Sequence, residues 1–171
     1  INFSLSLKET PALPSPLSLV LAPTRELAIQ IHKEAARFGK KLGVRCVVVY
    51  GGAPRHNQVN SLKGGANAFP HLVTGTPGRI LDFIESEVMR LSLVRILVLD
   101  EADRMLDMGF IPQVKRIVRA TPRKEDRQTL LFSATFTQDI MNLAKQWTFE
   151  PITVEIEPER VATASVDQRV Y

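Results

Sequence analysis

The residues best suited to chemistry follow a short hydrophobic segment. Residues 94–99 are almost all apolar, as in a buried strand, and Asp100, Glu101 and Asp103 come directly after them. An aspartate in that position is placed to hold Mg²⁺, commonly through water, beside the phosphates of a nucleotide. The adjacent glutamate can orient and deprotonate an attacking water. The alternative is a helix cap at Asp100 with the other two carboxylates in solvent. The strand context favours the metal-and-base interpretation.

Two further segments carry groups that suit a polyanion. Thr24 and the N–H groups of a predicted helix start can bind a phosphate. Thr76, Gly78 and Arg79 can form a second such site, since glycine allows close backbone approach and arginine supplies a charged fork. A plain turn into a helix capped by Thr76 explains the second segment equally well, so taken singly it stays undecided.

Other short motifs are weaker when taken alone. The pair Gly51 and Gly52 follows a predicted strand and is more typical of a simple turn. Ser133 and Thr135 follow another strand, and their hydroxyls can bond to Asp103 across neighbouring strands. Otherwise they are ordinary strand-end residues.

These segments are separated by a regular alternation of strands and helices. Leu27, Ile31, Ala35 and Phe38 recur at helical spacing, and Thr24 can cap that helix. The pattern predicts a parallel sheet with helices on both faces, an α/β fold whose ligand site lies at the carboxyl ends of the strands. Predicted strands cover 17–22, 46–50, 72–74, 94–99, 129–132 and 152–156, and predicted helices begin near 27 and cover 80–87, 111–119 and 140–147.

Composition limits the class of protein. The 171 residues are 44% hydrophobic and 23% charged, which is typical of one folded domain and excludes disorder over the whole length. A net charge of +4 permits a polyanionic partner without requiring one. Cys46, the only cysteine, excludes an internal disulfide and fits a small buried strand residue, and the three histidines are too scattered for a metal pair. No apolar run or signal-peptide pattern indicates a membrane, so we expect a reducing, aqueous compartment.

Taken together, the motifs resemble one family. PTRELA, GG, TPGR, VLDEAD and SAT occur in the order and approximate spacing of the DEAD-box RNA helicases, from about Leu17 to the end of the chain. IPQV and FTQDIMNLAKQW are most similar to bacterial helicases of the RhlB and RhlE groups, and an organellar relative of bacterial origin also fits. The resemblance implies a RecA-like domain that binds ATP, Mg²⁺ and RNA in a bacterial cytoplasm or an organelle. RNA-stimulated ATP hydrolysis would drive local unwinding, with a second RecA-like domain and RNA-processing proteins as partners.

The resemblance also implies roles for the strand-end residues. Asp100 would serve Mg²⁺ and Glu101 would be the general base, while Asp103, Ser133 and Thr135 would couple the nucleotide state to RNA strand separation. Contacts to the sugar-phosphate backbone are sequence-tolerant and weakened by salt. The residues implied in those contacts are Pro23, Thr24, Arg25, Gly51, Gly52, Thr76, Pro77, Gly78 and Arg79.

The chain departs from the family at the loop that binds the phosphates of ATP. No G-x-x-x-x-G-K-[ST] loop occurs in the 171 residues, nor does the family's adenine-reading glutamine segment. We therefore expect a fold incomplete at its N-terminus, with exposed apolar edges unless another segment fills the gap. The expected division is an irregular linker or remnant at 1–16, a partial first RecA-like domain at 17–158 and the start of a connector at 159–171. Gly64, Gly65 and Pro70 predict a longer loop within 62–75.

Two accounts follow, and a third belongs to another class. The chain is a piece of an ATP-dependent helicase, which we favour, or a truncated helicase-like module that binds RNA or protein without catalysis. A P-loop NTPase unrelated to RNA is opposed by the PTRELA and TPGR strings.

The isolated chain is expected to hydrolyse ATP negligibly, because nothing in it matches the loop that grips the phosphates. Phosphate release by the purified chain, with and without RNA, measures this. A turnover near that of an intact helicase would contradict the expectation.

Overall fold

The computed structural model describes residues 13–64 and 69–156, which form one five-stranded sheet. All strand pairs are parallel, and the strand order is β2-β3-β1-β4-β5. The predicted parallel α/β architecture is confirmed. The strands are β1 (Ser18–Leu21), β2 (Cys46–Val49), β3 (Leu72–Gly75), β4 (Ile96–Leu99) and β5 (Gln128–Leu131).

Helices connect the strands across both faces of the sheet. The β1-to-β2 connection crosses the sheet in the opposite direction to the three later connections, so right-handed crossovers place its helix, α1, on the opposite face from α2, α3 and α5. The helices are α1 (Arg25–Gly39), α2 (Arg55–Lys63), α3 (Pro77–Glu85), α4 (Ala102–Asp107), α5 (Ile111–Ala120) and α6 (Gln138–Trp147), with 3-10 turns at Lys40–Leu42 and Lys124–Asp126.

Local sequence explains where the helices begin and end. Thr24 caps α1 as predicted, its hydroxyl accepting a hydrogen bond from the Leu27 N–H at 3.3 Å. Thr137 caps α6 in the same way through the N–H of Ile140. The turn after α1 ends at Gly43, whose φ of +66° is one that glycine adopts without strain.

The core lies against the central strands. Leu19 and Leu21 of β1 and Leu97 and Leu99 of β4 are fully inaccessible to solvent. Burying an aliphatic side chain of this size contributes about 1.5–3 kcal/mol. These leucines hold β1, the middle strand of the sheet, and its neighbour β4 in the core.

Three predictions from the hydrophobic pattern were wrong. The described residues 151–156 form no strand, and Ile152 and Ile156 are 92% and 88% exposed, because strand-like alternation yields a strand only where a partner edge is available. Phe38 is 67% exposed in the last turn of α1, where the Arg37 guanidinium lies 4.6 Å from its ring centroid. Cys46 is half-buried rather than buried, since β2 is an edge strand.

Other boundaries differ by a few residues, and α2 and α4 were missed. The sequence of α2 is mostly polar, with Val59 and Leu62 as its only large apolar residues, so it gives little periodic signal. The loop expected within 62–75 includes residues 65–68, which lie outside the described residues. The linker up to residue 12 and the connector at 159–171 also lie outside them.

The last strand, β5, is the other edge of the described sheet, opposite β2. Leu130 of β5 is 37% exposed, and Phe132, just after the strand, is 54% exposed. Within 13–64 and 69–156, no helix has the length and apolar character needed to cross a membrane.

Replacing Gly75 by alanine is expected to lower the free energy of unfolding by about 2 kcal/mol and Tm by roughly 4–8 °C. A Cβ there would lie 2.5 Å from the Val49 carbonyl oxygen and 3.0 Å from Ile80 Cδ1, and the carbonyl belongs to the sheet ladder. Thermal unfolding measures the effect. Gly78→Ala is the matched control, because nothing lies within 4 Å of its Cβ position. Equal losses in the two variants would contradict this account.

Candidate functional site

The strand register brings the chemical groups to one edge. Leu21 lies level with Gly75 of β3 and Leu99 of β4, and Val49 and Leu131 continue that level to the two outer strands. Every strand therefore ends at the same height, and the residues that follow form a continuous surface. One half, after β2, β3 and β1, is rich in glycine, threonine and arginine. The other half, after β4 and β5, carries carboxylates and hydroxyls.

Asp100 and Glu101 lie at the centre of this edge. The Asp100 N–H donates to the Leu21 carbonyl at 3.0 Å, which extends the ladder between β4 and β1 by one residue. Its Oδ1 accepts from the Glu101 N–H at 3.0 Å. Glu101 has a left-handed backbone with φ +50°, a conformation that costs a non-glycine residue energy and recurs at functional sites. Its carboxylate is 41% exposed and lies 3.4 Å from the Arg104 guanidinium.

Burial raises the pKa of Asp100 above its ordinary value, and the charge of Glu101 adds to the rise, although the Glu101 N–H opposes it. A desolvated carboxylate with a hard oxygen donor fits Mg²⁺. In the part of the chain that the structure describes, no group of three or more His, Cys, Asp or Glu side chains could hold a metal ion alone.

The predicted link between Asp103 and the hydroxyls after β5 is present in part. The Thr135 hydroxyl donates to Asp103 Oδ2 at 3.1 Å, whereas the Ser133 hydroxyl donates to the Thr135 carbonyl at 2.9 Å. Slight burial would raise the pKa of Asp103, but hydrogen bonds from the Arg104 N–H and the Thr135 hydroxyl outweigh it and hold that pKa below its ordinary value. Nearby Ser133 adds to the lowering. Asp103 is thus a charged anchor between α4 and the segment after β5.

On the other half, the start of α1 presents two polar groups. Pro23 is buried, and the Thr24 hydroxyl is engaged in capping, so the helix N-terminus is ordered by the chain itself. The Arg25 side chain is 54% exposed, with Nε 3.3 Å from Glu26 Oε1 and its guanidinium 6.0 Å from the Tyr50 ring centroid. An exposed guanidinium above an ordered helix start suits an anionic ligand.

The segment after β3 begins α3. Thr76 occupies the N-cap of α3, as the capped-turn alternative expects, but its hydroxyl makes no capping hydrogen bond. Pro77 is buried in the first helical position, and Gly78 is exposed with open space where a Cβ would lie. Beside them, Gly51 and Gly52 are exposed, and Gly52 has a φ of +79°. These groups leave an uncrowded backbone surface.

Arg79 is placed differently from its neighbours. Its side chain is 13% exposed, and its Nη1 and Nη2 both donate to the Ala53 carbonyl, at 3.4 and 3.3 Å. Its Nε lies 3.7 Å from Asp82 Oδ2, and its guanidinium lies 5.6 Å from the Phe83 ring centroid. The structure therefore brings Arg79 to the edge, with both of its terminal nitrogens hydrogen-bonded to the chain itself.

Sequence reasoning missed two polar residues of α2. Gln58 is buried and clamps Tyr50, accepting from its N–H at 2.9 Å and donating to its carbonyl at 3.0 Å. That clamp fixes the backbone just before Gly51. Arg55 begins α2 and reaches Asp82 of α3 at 3.2 Å. Neither could be recognised, because the polar sequence of α2 concealed the helix that carries them.

Asp100→Asn is expected to raise the Tm of the ligand-free chain by about 1–2 °C at neutral pH. Asparagine keeps an acceptor for the Glu101 N–H and removes a charge that burial penalises. The pKa is raised on folding, so the penalty is full above the folded pKa and vanishes below the ordinary value of 3.8. The gain should therefore disappear on acidification, as thermal unfolding across pH would show.

Asp107→Asn, at an exposed aspartate of α4, serves as the control and should leave the Tm at neutral pH unchanged. A loss of stability in Asp100→Asn at neutral pH would contradict the desolvation argument.

Comparison with known proteins finds relatives that match most of this chain. A curated relative named ATP-dependent RNA helicase RhlB, from Pseudomonas aeruginosa (strain UCBPP-PA14), is 54% identical over 156 residues, which are 91% of this chain and 38% of the relative. A protein of the same name from Xanthomonas axonopodis pv. citri (strain 306) is 45% identical over 157 residues, 91% of this chain and 27% of that protein. The chain thus spans less than two fifths of these relatives.

The fold has a counterpart among solved structures. The crystal structure of a DEAD box protein from the hyperthermophile Methanococcus jannaschii matches with a TM-score of 0.71 and 38% identity, covering 80% of this chain and 36% of that one. Residues 4–143 match the family described as DEAD/DEAH box helicase. The five-stranded parallel sheet is therefore a RecA-like domain, and the chain belongs to the DEAD/DEAH box helicase family.

Proposed function

We propose that the chain supplies the metal-binding, base and RNA-contacting side of an ATP-dependent RNA helicase, with residues 17–158 as its first RecA-like domain. RNA-stimulated ATP hydrolysis would drive local unwinding of an RNA duplex. The observation that carries this proposal is the divided strand-end edge, with carboxylates beyond β4 and an open glycine and arginine surface beyond β2, β3 and β1. The relatives named as ATP-dependent RNA helicases support it.

The half of the edge after β4 and β5 would take part in ATP hydrolysis and in coupling it to RNA. Asp100 would hold Mg²⁺ through water, and the bound ion would supply charge neutralisation at the phosphates of ATP. Glu101 would orient and deprotonate the attacking water, and its carboxylate, 41% exposed beside the Arg104 guanidinium, is accessible to that water. Asp103, bonded to Thr135, would transmit the nucleotide state to the segment after β5, with Ser133 supporting that segment through the Thr135 carbonyl.

RNA would lie along the other half as a sugar-phosphate backbone. Open glycines allow close approach, and the cap of α1 and the Arg25 guanidinium add positive potential. Because contacts to the sugar-phosphate backbone carry no base information, binding should tolerate any sequence and weaken with salt. A second RecA-like domain and the grip on ATP would come from outside these 171 residues, in which no phosphate loop is found. We place the protein in the cytoplasm, as its bacterial relatives suggest.

The second candidate is a module that binds RNA or protein and performs no catalysis. The absence of a phosphate-loop motif from all 171 residues favours it. The two candidates differ in whether the carboxylates support hydrolysis once an ATP grip is supplied.

A chimera tests the catalytic proposal. The matching 156-residue segment of the Pseudomonas aeruginosa protein is replaced by the corresponding part of this chain, and RNA-stimulated phosphate release is measured. Glu101→Gln should lower that rate by about 10²-fold or more, since glutamine cannot accept the proton. Glu125→Gln, at an exposed glutamate of the Lys124–Asp126 turn, is the matched control and should leave it unchanged.

Unchanged turnover in the Glu101→Gln chimera would refute the base assignment. A chimera that binds RNA yet hydrolyses no ATP with all its native carboxylates would favour the non-catalytic module.

A further inference from the structure

Two arginines, Arg55 and Arg79, lie beside Asp82 and differ in how far they are exposed. Arg79 is only 13% exposed, and both of its terminal nitrogens donate to the Ala53 carbonyl. Ala53 follows Gly52 directly, so this contact ties the glycine-rich turn to α3. A guanidinium buried to that extent has little surface left for a ligand.

Arg55 has the opposite character. Its side chain is 46% exposed. Its Nε donates to Asp82 Oδ2 at 3.2 Å, its Nη2 donates to Ser86 Oγ at 2.5 Å, and its guanidinium lies 5.3 Å from the Phe83 ring centroid. The remaining nitrogen, Nη1, has no hydrogen-bond partner among residues 13–64 and 69–156. Two hydrogen bonds and a ring thus fix the guanidinium in place while one N–H edge stays open.

The charge balance at this point leaves a positive excess. Among residues 13–64 and 69–156, Asp82 is the only carboxylate within ion-pair distance of either guanidinium, at 3.2 Å from Arg55 and 3.7 Å from Arg79. One positive charge is therefore unmatched, and the more exposed arginine presents it to solvent. A guanidinium held rigid before binding loses less side-chain entropy when it contacts a phosphate.

We propose that Arg55 makes the direct charged contact to an RNA phosphate on this half of the edge, and that Arg79 is a positioning residue that holds the turn at Gly51, Gly52 and Ala53. The inference rests on the proposed function, since it concerns how the chain would bind RNA. It also adds a residue outside the PTRELA, GG and TPGR motifs to the RNA surface.

The salt dependence of RNA binding separates the two roles. The logarithm of affinity falls with the logarithm of salt concentration, by about 0.7 for each phosphate neutralised on a single strand. Fluorescence anisotropy with this chain and a labelled single-stranded oligouridine, over 50–200 mM salt, gives both affinity and slope. Arg55→Ala should weaken binding about tenfold, as expected for one charge-assisted hydrogen bond, and reduce the slope by about 0.7. Arg79→Ala should weaken binding to every RNA sequence and leave the slope unchanged.

Conservative replacements sharpen the distinction. Arg55→Lys keeps the charge and should retain the slope and most of the affinity. Arg79→Lys should fail to rescue binding, because one ammonium cannot reproduce the paired donation to the Ala53 carbonyl. Arg37→Ala, at an exposed arginine of α1 paired with Glu34, is the matched control and should change neither quantity.

Amide hydrogen exchange of the RNA-free chain provides a measurement that does not depend on binding. Arg79→Ala should speed exchange at the Tyr50 N–H, which donates to Gln58 Oε1 just before the turn, in a variant that remains folded by circular dichroism. A reduced slope in Arg79→Ala that is restored in Arg79→Lys, with no change in Arg55→Ala, would overturn the assignment. Absence of oligouridine binding by the unaltered chain at 50 mM salt would instead refute RNA binding by this chain, and the assignment with it.

Discussion

The parallel register of β1 with β3 and β4 is the constraint on which the whole edge depends. Leu21 lies level with Gly75 on one side and Leu99 on the other, so the sheet ends along one line. The ladder continues one residue further, because Asp100 donates to the Leu21 carbonyl and Ala22 donates to that of Gly75. A slip of one residue would turn Asp100 to the opposite face of the sheet. Full burial of the β1 and β4 leucines opposes such a slip.

The same constraint holds two acidic residues in locally unfavourable states. Asp100 lies close enough to the core for burial to raise its pKa, and Glu101 must adopt a left-handed backbone to enter α4. Neither feature stabilises the ligand-free fold. Energy stored at a site in this way is tolerated when the surrounding structure determines the conformation. Here the surrounding structure is the ladder itself, since the next residue, Ala102, donates to the Phe132 carbonyl of the strand-end segment after β5.

Much of this arrangement could be read from the sequence, for a physical reason. Buried parallel strands are apolar on both faces, so their ends are visible, and Asp100, Thr76 and Ser133 were placed at the edge from that signal alone. The pattern failed where burial depends on a distant partner. Residues 152–156 alternate like a strand but pair with no strand in the described structure. Phe38 has the helical spacing of a buried residue, but it lies in the last turn of α1 and is exposed. Backbone conformation was equally invisible, as at Glu101, where nothing in the residue type indicates φ +50°.

Arg79 shows most clearly what residue type cannot reveal. An arginine in a segment that suits a polyanion invites the interpretation of a direct contact, yet whether its charge reaches solvent depends on the Ala53 carbonyl, 26 residues away in sequence. Arg55 carries no motif and lies on a helix with almost no periodic signal, but tertiary structure sets it beside the same Asp82 carboxylate. One acidic group shared by two guanidiniums cannot neutralise both. The two arginines therefore differ because they differ in burial. Arg79 makes an internal contact, and Arg55 carries a charge that is exposed to solvent.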